Sequence, residues 1–220
     1  MGNIVRIVCY GDSNTWGYNP KDGSRYDEQT RWTGRLKNLL GQGYDVVECG
    51  INGRTTSFDD PYREFQNGRK GLGYCFHENK PIDLLIISLG TNDLKYTHAG
   101  GAARGLAALL RTATHSEAFD SNNRSSFRDG KVKILVLSPI NLASNLEQLN
   151  PHTLFREKIE ESRCFAEVYQ PVCNAYGVDF MDAVKFAGPS EIDGIHMAPE
   201  SHASLAIAVA EKVKEILGQN

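Results

Sequence analysis

Apolar, β-branched runs recur along the chain, and each stops at a polar turn. Residues 4–10, 45–48, 82–89, 132–137 and 178–181 read as strands. The nearly unbroken apolar runs at 82–89 and 132–137 suit strands covered on both faces. Between them, apolar residues at helical spacing predict helices over 32–40, 101–114, 154–176 and 199–217. Gly41 and Gly43 stop the first of these, Gly177 suits the end of the third, and Pro171 is expected to kink the third or divide it in two. Segments 17–31, 57–80, 115–130 and 140–153 read as loops, and long loops in a compact domain usually carry function.

Five strands alternating with helices predict an α/β fold: three layers, α/β/α, on a five-stranded parallel sheet of flavodoxin-like type. The crossovers should be right-handed and the strand order 2-1-3-4-5. With no internal repeat and no linker, 220 residues predict one domain spanning 1–220.

Composition changes this picture little. Apolar residues make up 40% and charged residues 23%, as in an ordinary globular chain, and the net charge is −3. No basic stripe points to nucleic acid, and no apolar run approaches the ~20 residues of a membrane span. Cys9, Cys49, Cys75, Cys164 and Cys173 form no zinc-ligand spacing and no disulfide framework. Cys9 and Cys49 read as buried small hydrophobes, and the odd count fits a reducing compartment. The first strand begins at once, which leaves no room for a signal peptide. The expectation is a cytoplasmic protein with no metal and no cofactor.

The candidate chemistry lies where the strands end. The first stops at Tyr10-Gly11-Asp12-Ser13-Asn14-Thr15-Trp16-Gly17 and the second at Gly50-Ile51-Asn52-Gly53-Arg54. The third stops at Gly90-Thr91-Asn92-Asp93, and Asp193-Gly194-Ile195-His196 precedes the last helix. In a parallel sheet such loops converge on one edge. Acyl transfer needs a nucleophile, a base, a group orienting the base, and oxyanion donors. Ser13 suits the nucleophile and His196 the base. Asp193, three residues before His196, suits the orienting carboxylate. The N–H groups of Ser13 and Gly53 and the Asn92 amide suit the oxyanion donors. Bland alternatives remain open: a helix cap for Ser13, a helix-start acid for Asp193, a turn former for Asn92.

Asp12 and Trp16 are candidates for the substrate pocket. Asp12, like Asp93, also suits bracing by accepting backbone N–H groups, and Trp16 equally suits packing. Arg54 is expected to pair with a carboxylate behind the site. Phe58, Phe76 and Phe155 read as core or interface residues. His77, His98, His115, His152 and His202 read as surface or cap residues. Grouping Asp193, His196 and His202 as metal ligands lacks a companion cluster.

These blocks, in this order, resemble the SGNH (GDSL) hydrolase family. Gly11-Asp12-Ser13, Gly53, Gly90-Thr91-Asn92-Asp93 and Asp193-Gly194-Ile195-His196 match its four blocks, and the similarity covers nearly the whole chain. Position 14 is Asn where the family name implies Leu, a change that reads as minor. Thr15-Trp16-Gly17, Arg31-Trp32-Thr33-Gly34, Arg54-Thr55-Thr56 and Asp59-Asp60-Pro61 are similar to the arylesterases and acyltransferases of mycobacterial type. The resemblance implies a serine esterase for small, short-chain aryl or alkyl esters, with transfer of the acyl group to alcohols. It also implies a homo-oligomer, tetramer to octamer, whose neighbouring loops narrow the entrance. A carbohydrate O-acetyl esterase of the same fold is the alternative within enzymes. A flavodoxin-like nucleotide-binding module is the alternative outside them, and it lacks the Gly-x-Gly-x-x-Gly turn after the first strand.

Overall fold

The computed structural model describes residues 4–218. Strand β1 (Val5–Gly11) turns directly into a one-turn helix, α1 (Ser13–Trp16), and a polar loop leads to α2 (Trp32–Leu40). Then follow β2 (Tyr44–Gly50), α3 (Gly68–Asn79), β3 (Leu84–Ser88), α4 (Ala99–Thr114) and β4 (Ile134–Leu137). The chain closes with α5 (Leu146–Leu149), α6 (Ile159–Arg163), α7 (Phe165–Tyr176), β5 (Asp179–Met181) and α8 (Pro199–Leu217). The five strands form one sheet in the expected order, β2-β1-β3-β4-β5, and all four pairings are parallel. Among the described residues, no helix is long and apolar enough to cross a membrane.

Strand periodicity builds the three layers. Successive side chains point to opposite faces. Val8, Tyr10, Leu85, Ile87 and Val136 therefore meet Leu72 and Phe76 of α3, Leu106 and Leu109 of α4, and Tyr169 of α7. Ile7, Cys9, Leu84, Ile86, Leu135 and Leu137 meet Trp32 and Leu36 of α2 and Leu205, Val209 and Val213 of α8. Both faces are covered, so β4 is apolar throughout, β3 up to its last residue Ser88, and β1 is buried from Ile7 onward.

The structure departs from the sequence pattern in three segments. Segment 57–80 is not irregular throughout, because α3 occupies its second half. Asn67 caps this helix by accepting the Lys70 N–H at 3.1 Å, and Leu72, Cys75 and Phe76 form its buried stripe. The predicted 154–176 helix is two helices, divided at Cys164 rather than at Pro171, which lies inside α7. At the break the Cys164 N–H turns back to the Glu161 carbonyl at 3.1 Å, a tighter turn than the α-helix makes. The 140–153 loop contains the single turn of α5.

His202 is fully buried, not a surface residue. Arg31 offers α2 no side-chain cap, and the His202 ring replaces it: Nδ1 accepts the Trp32 N–H at 3.2 Å. An accepting Nδ1 makes the ring neutral with its proton on Nε2. Burial, with lesser contributions from Arg35 and His196, pushes its pKa down from 6.5 to about 3. Between these values an unfolded chain binds a proton at His202 and the folded chain does not. This contribution to stability is therefore full above pH 6.5 and is lost as the pH falls towards 3. His202→Gln should flatten the fall of unfolding free energy across that window by about 1.4 kcal/mol per pH unit. Denaturant titrations at several pH values check this, and parallel profiles would contradict it.

Candidate active site

β1 ends in the middle of the sheet, and its last residue leads into the tight turn that carries Ser13. Asp12 caps α1, its Oδ1 accepting the Asn14 N–H at 3.0 Å. Ser13 is the first residue of that turn and is 8% exposed. β2 comes up close beside it, and a Cβ on Gly50 would lie 2.2 Å from the Trp16 nitrogen. Only glycine lets the edge strand end there.

The loop before α8 brings His196 to Ser13 from 183 residues away, with His196 Nε2 2.9 Å from Ser13 Oγ. The other ring nitrogen, Nδ1, lies 2.5 Å from Asp193 Oδ2. Asp193 Oδ1 also accepts the N–H groups of Ile195 and His196, both at 3.0 Å, so one carboxylate folds the turn and orients the ring. Burial alone would raise the Asp193 carboxyl. The His196 ring and these N–H groups outweigh burial and hold it below the ordinary carboxylate range. Asn14 is not a minor change: its Oδ1 accepts the Met197 N–H at 2.9 Å and ties the Ser13 turn to the His196 loop. A leucine there could not accept that bond. The Tyr18 ring lies over His196, with centroids 4.2 Å apart.

Donors converge opposite this pair. Among the described residues, the N–H groups of Ser13 and Gly53 donate to no protein acceptor. Gly53 holds φ at +83°, a left-handed conformation that glycine adopts without strain. The Asn92 amide donates one N–H to the Arg54 carbonyl at 3.2 Å, which fixes its plane and leaves its other N–H free. Asp93, fully buried, accepts from both the N–H and the hydroxyl of Thr56, pinning the Asn92 turn to the loop after β2. Burial first, and the nearby charge of Asp12, push Asp93 up to about 7; burial pushes Asp12 to about 6.

A cavity of about 210 Å³ opens over these groups, lined by Ser13, Asn52, Gly53, Asn92 and His196. Tyr18, Phe155 and Ile195 add apolar wall, and Arg63 and Lys95 add positive charge. Lys95 lies with its ammonium 5.4 Å from the Phe155 ring centroid. Burial, then the charge of Arg63, holds it below the ordinary lysine range. Phe155 thus serves the cavity rather than core or interface alone.

Neither pocket candidate lines this cavity. Asp12 is buried beneath it as a cap. Trp16 packs against the Arg25 guanidinium, 5.6 Å from its ring centroid, and its carbonyl accepts the Arg25 Nε–H at 2.7 Å. Arg54 pairs with no carboxylate among the described residues. Its guanidinium donates to the Gly11 carbonyl at 2.9 Å and to the Cys49 carbonyl, and it covers the Tyr10 ring at 4.0 Å. It therefore joins the ends of β1 and β2.

The remaining motif residues hold the loops around the site. Arg31 and Thr33 both bind the Glu48 carboxylate, and Arg25 joins them at 3.2 Å, fastening loop 17–31 to the edge strand. Asp59 pairs with Lys70 at 2.8 Å, and Asp60 accepts the Tyr96 hydroxyl at 2.6 Å, fastening the loop before α3. Tyr18, Asn14, Arg63, Lys95 and Phe155 line or tie the site and were not read as part of it from the sequence. Position was a signal for three of them, since Asn14 and Tyr18 follow the Ser13 turn and Lys95 the Asn92 turn, and Phe155 and Arg63 had none.

Known proteins share this fold over nearly their whole length. The chain is similar to the structure of an M. smegmatis aryl esterase, with 32% identity and a TM-score of 0.86, covering 96% of this chain and 99% of that one. It is equally similar to Est24, a carbohydrate acetylesterase from Sinorhizobium meliloti, with 32% identity, a TM-score of 0.87 and the same coverage. None of the curated proteins compared matches the chain. The GDSL-like lipase/acylhydrolase family matches over residues 9–203, from within β1 to within α8. With that match and these relatives, the chain belongs to the GDSL-like lipase/acylhydrolase family and is a carboxylic ester hydrolase.

Proposed function

We propose that the protein is a serine esterase for short-chain carboxylic esters that carries the acyl group on Ser13. The observation that supports this most is the chain Ser13 Oγ, His196, Asp193, at 2.9 and 2.5 Å, opening into a cavity with free N–H donors. Ser13 Oγ attacks the ester carbonyl and its proton passes to His196 Nε2. The carbonyl oxygen becomes an oxyanion facing the N–H groups of Ser13 and Gly53 and the Asn92 amide. The C–O bond to the alcohol then breaks, and His196 returns the proton to the leaving oxygen. Water, or a second alcohol, attacks the acyl-enzyme by the same path in reverse. Attack by an alcohol transfers the acyl group instead of hydrolysing it.

The oxyanion role of Asn92 is tested by Asn92→Ala. Losing one such donor costs roughly 10²–10³ in kcat. We expect that loss with little change in KM, because the donor acts on charge that appears only in the transition state. An unchanged kcat would remove Asn92 from the mechanism.

The cavity, about 210 Å³, is smaller than the ~300–1,000 Å³ of sites for drug-sized ligands. Acetyl to butyryl esters should therefore turn over fastest. A p-nitrophenyl ester series from acetate to octanoate checks this, and faster turnover of the long chains would contradict it. The likeness to Est24 favours a second reading, release of acetate from acetylated sugars. Acetylated monosaccharides run beside the aryl series separate the two. Acetate released from sugars, with all aryl esters inert, would select the second reading. New ester formed from an added primary alcohol would show transfer.

A further inference from the structure

A second group of nucleophiles lies one strand away from Ser13. Cys49, next to last in β2, and Cys75, in the middle of α3, face each other with their sulfurs 3.6 Å apart, and the Cys75 thiol donates to the Cys49 sulfur. Both line a cavity of about 910 Å³ between the edge strand, α3 and the loop before α3, which Ile51, Tyr62, Phe65 and Tyr74 also border. Small solutes can therefore reach the pair. The other three thiols are placed differently. Cys9 and Cys173 are fully buried, and Cys164 donates to the Glu160 carbonyl at 3.4 Å.

We propose that Cys49 and Cys75 form an oxidisable dithiol, which a hydroperoxide converts to a disulfide joining the edge strand β2 to α3. In the first step the Cys49 sulfur attacks the peroxide. An S–O bond forms, the O–O bond breaks, and the departing oxygen leaves as water or an alcohol after taking a proton. Cys49 is then a sulfenic acid. In the second step the Cys75 sulfur attacks the Cys49 sulfur. The S–S bond forms, the S–O bond breaks, and the hydroxyl leaves as water with the Cys75 proton. The two thiols are oxidised by two electrons and one peroxide is reduced.

The geometry assigns the order of the two steps. Cys49 is the more exposed residue of the pair and its sulfur accepts the hydrogen bond. That S–H donation, against burial and the charges of Glu48 and Glu78 but with the help of Arg54, holds its thiol below the ordinary range. Cys75, 7% exposed, has its proton engaged and is pushed up, which suits the resolving thiol. Closing from 3.6 Å to the ~2.05 Å of a disulfide asks for a movement of roughly 1.5 Å. Cys75 borders the open cavity together with Lys70, Tyr74 and Glu78 of α3.

The test uses the full-length wild-type protein. It is reduced, treated with hydrogen peroxide, denatured in excess N-ethylmaleimide and mapped by peptide mass spectrometry. We expect two of the five thiols to escape alkylation, one cross-linked peptide pair containing Cys49 and Cys75, and full reversal by dithiothreitol. In Cys75→Ser, dimedone should trap the sulfenic acid on Cys49, and Cys75→Ala gives a second variant should the serine variant not fold. Five alkylatable thiols after peroxide, or a cross-link through any other cysteine, would overturn the proposal. Ester turnover plays no part in the readout, so the assignment of Ser13 and this one stand or fall separately.

Discussion

Ser13→Ala lowers ester turnover by roughly 10⁶-fold and leaves the fold intact: that is the largest expected effect. Ser13 Oγ makes its one side-chain hydrogen bond to His196, so the alanine removes the attacking oxygen without opening a core cavity. The turn that carries it is held by backbone groups and by Asp12, none of which the substitution touches. What remains should be the small rate enhancement that the N–H donors give to attack by water. p-Nitrophenyl acetate hydrolysis, with circular dichroism as the control for folding, measures the effect. A variant that keeps more than a small fraction of the wild-type rate would contradict an acyl-enzyme on Ser13.

Asp193→Asn should cost roughly 10⁴ in kcat, the second largest effect. The substitution preserves shape. The amide oxygen that replaces one carboxylate oxygen can still accept the N–H groups of Ile195 and His196 that fold the turn. The new NH₂ group then faces His196 Nδ1, which must accept rather than donate. The ring proton moves to Nε2 and points at Ser13, so the base has no lone pair to offer the serine. The charge that stabilises the imidazolium is also lost. A kcat within tenfold of wild type would mean that Asp193 shapes the turn and does nothing more.

The sheet was legible because its strands obey a local rule. Runs such as 82–89 and 132–137 are apolar at nearly every position since both faces are covered, and no neighbouring loop is needed to recognise them. Helix α3 was illegible for the opposite reason. Gly68, Gly71 and Gly73 read as loop residues, yet each marks a close approach of the helix to its surroundings. A Cβ at Gly68 would lie 2.5 Å from the Thr55 carbonyl oxygen, and one at Gly71 2.9 Å from the Tyr10 hydroxyl. Packing, not propensity, put glycine there. Pro171 misled for a related reason: local chemistry marks it as a breaker, whereas the chain divides at Cys164, where no residue signals it.

The site divides along the same line. Ser13, Gly53, Asn92, Asp193 and His196 stand at strand ends or before the last helix, so topology alone brings them to one edge. Phe155 and Tyr18 stand at no strand end. Phe155 reaches the cavity from a segment that reads as the start of a helix, and Tyr18 reaches His196 from a polar loop. Asn14 looks minor beside a family letter and matters by its own chemistry, an acceptor one residue past the serine. Trp16 shows the reverse error. A large ring beside the nucleophile invites a pocket role, but its partners are Arg25 and Tyr18.

The central claim is that Ser13 bears the acyl group, and an organophosphonate fluoride tests it most directly. The reagent is attacked as an ester is, but its adduct does not turn over. One equivalent should abolish hydrolysis, and peptide mapping should place the adduct on Ser13, with labelling slowed in Asp193→Asn. Full activity with Ser13 unlabelled after excess reagent, or inactivation with the adduct on another residue, would contradict the account.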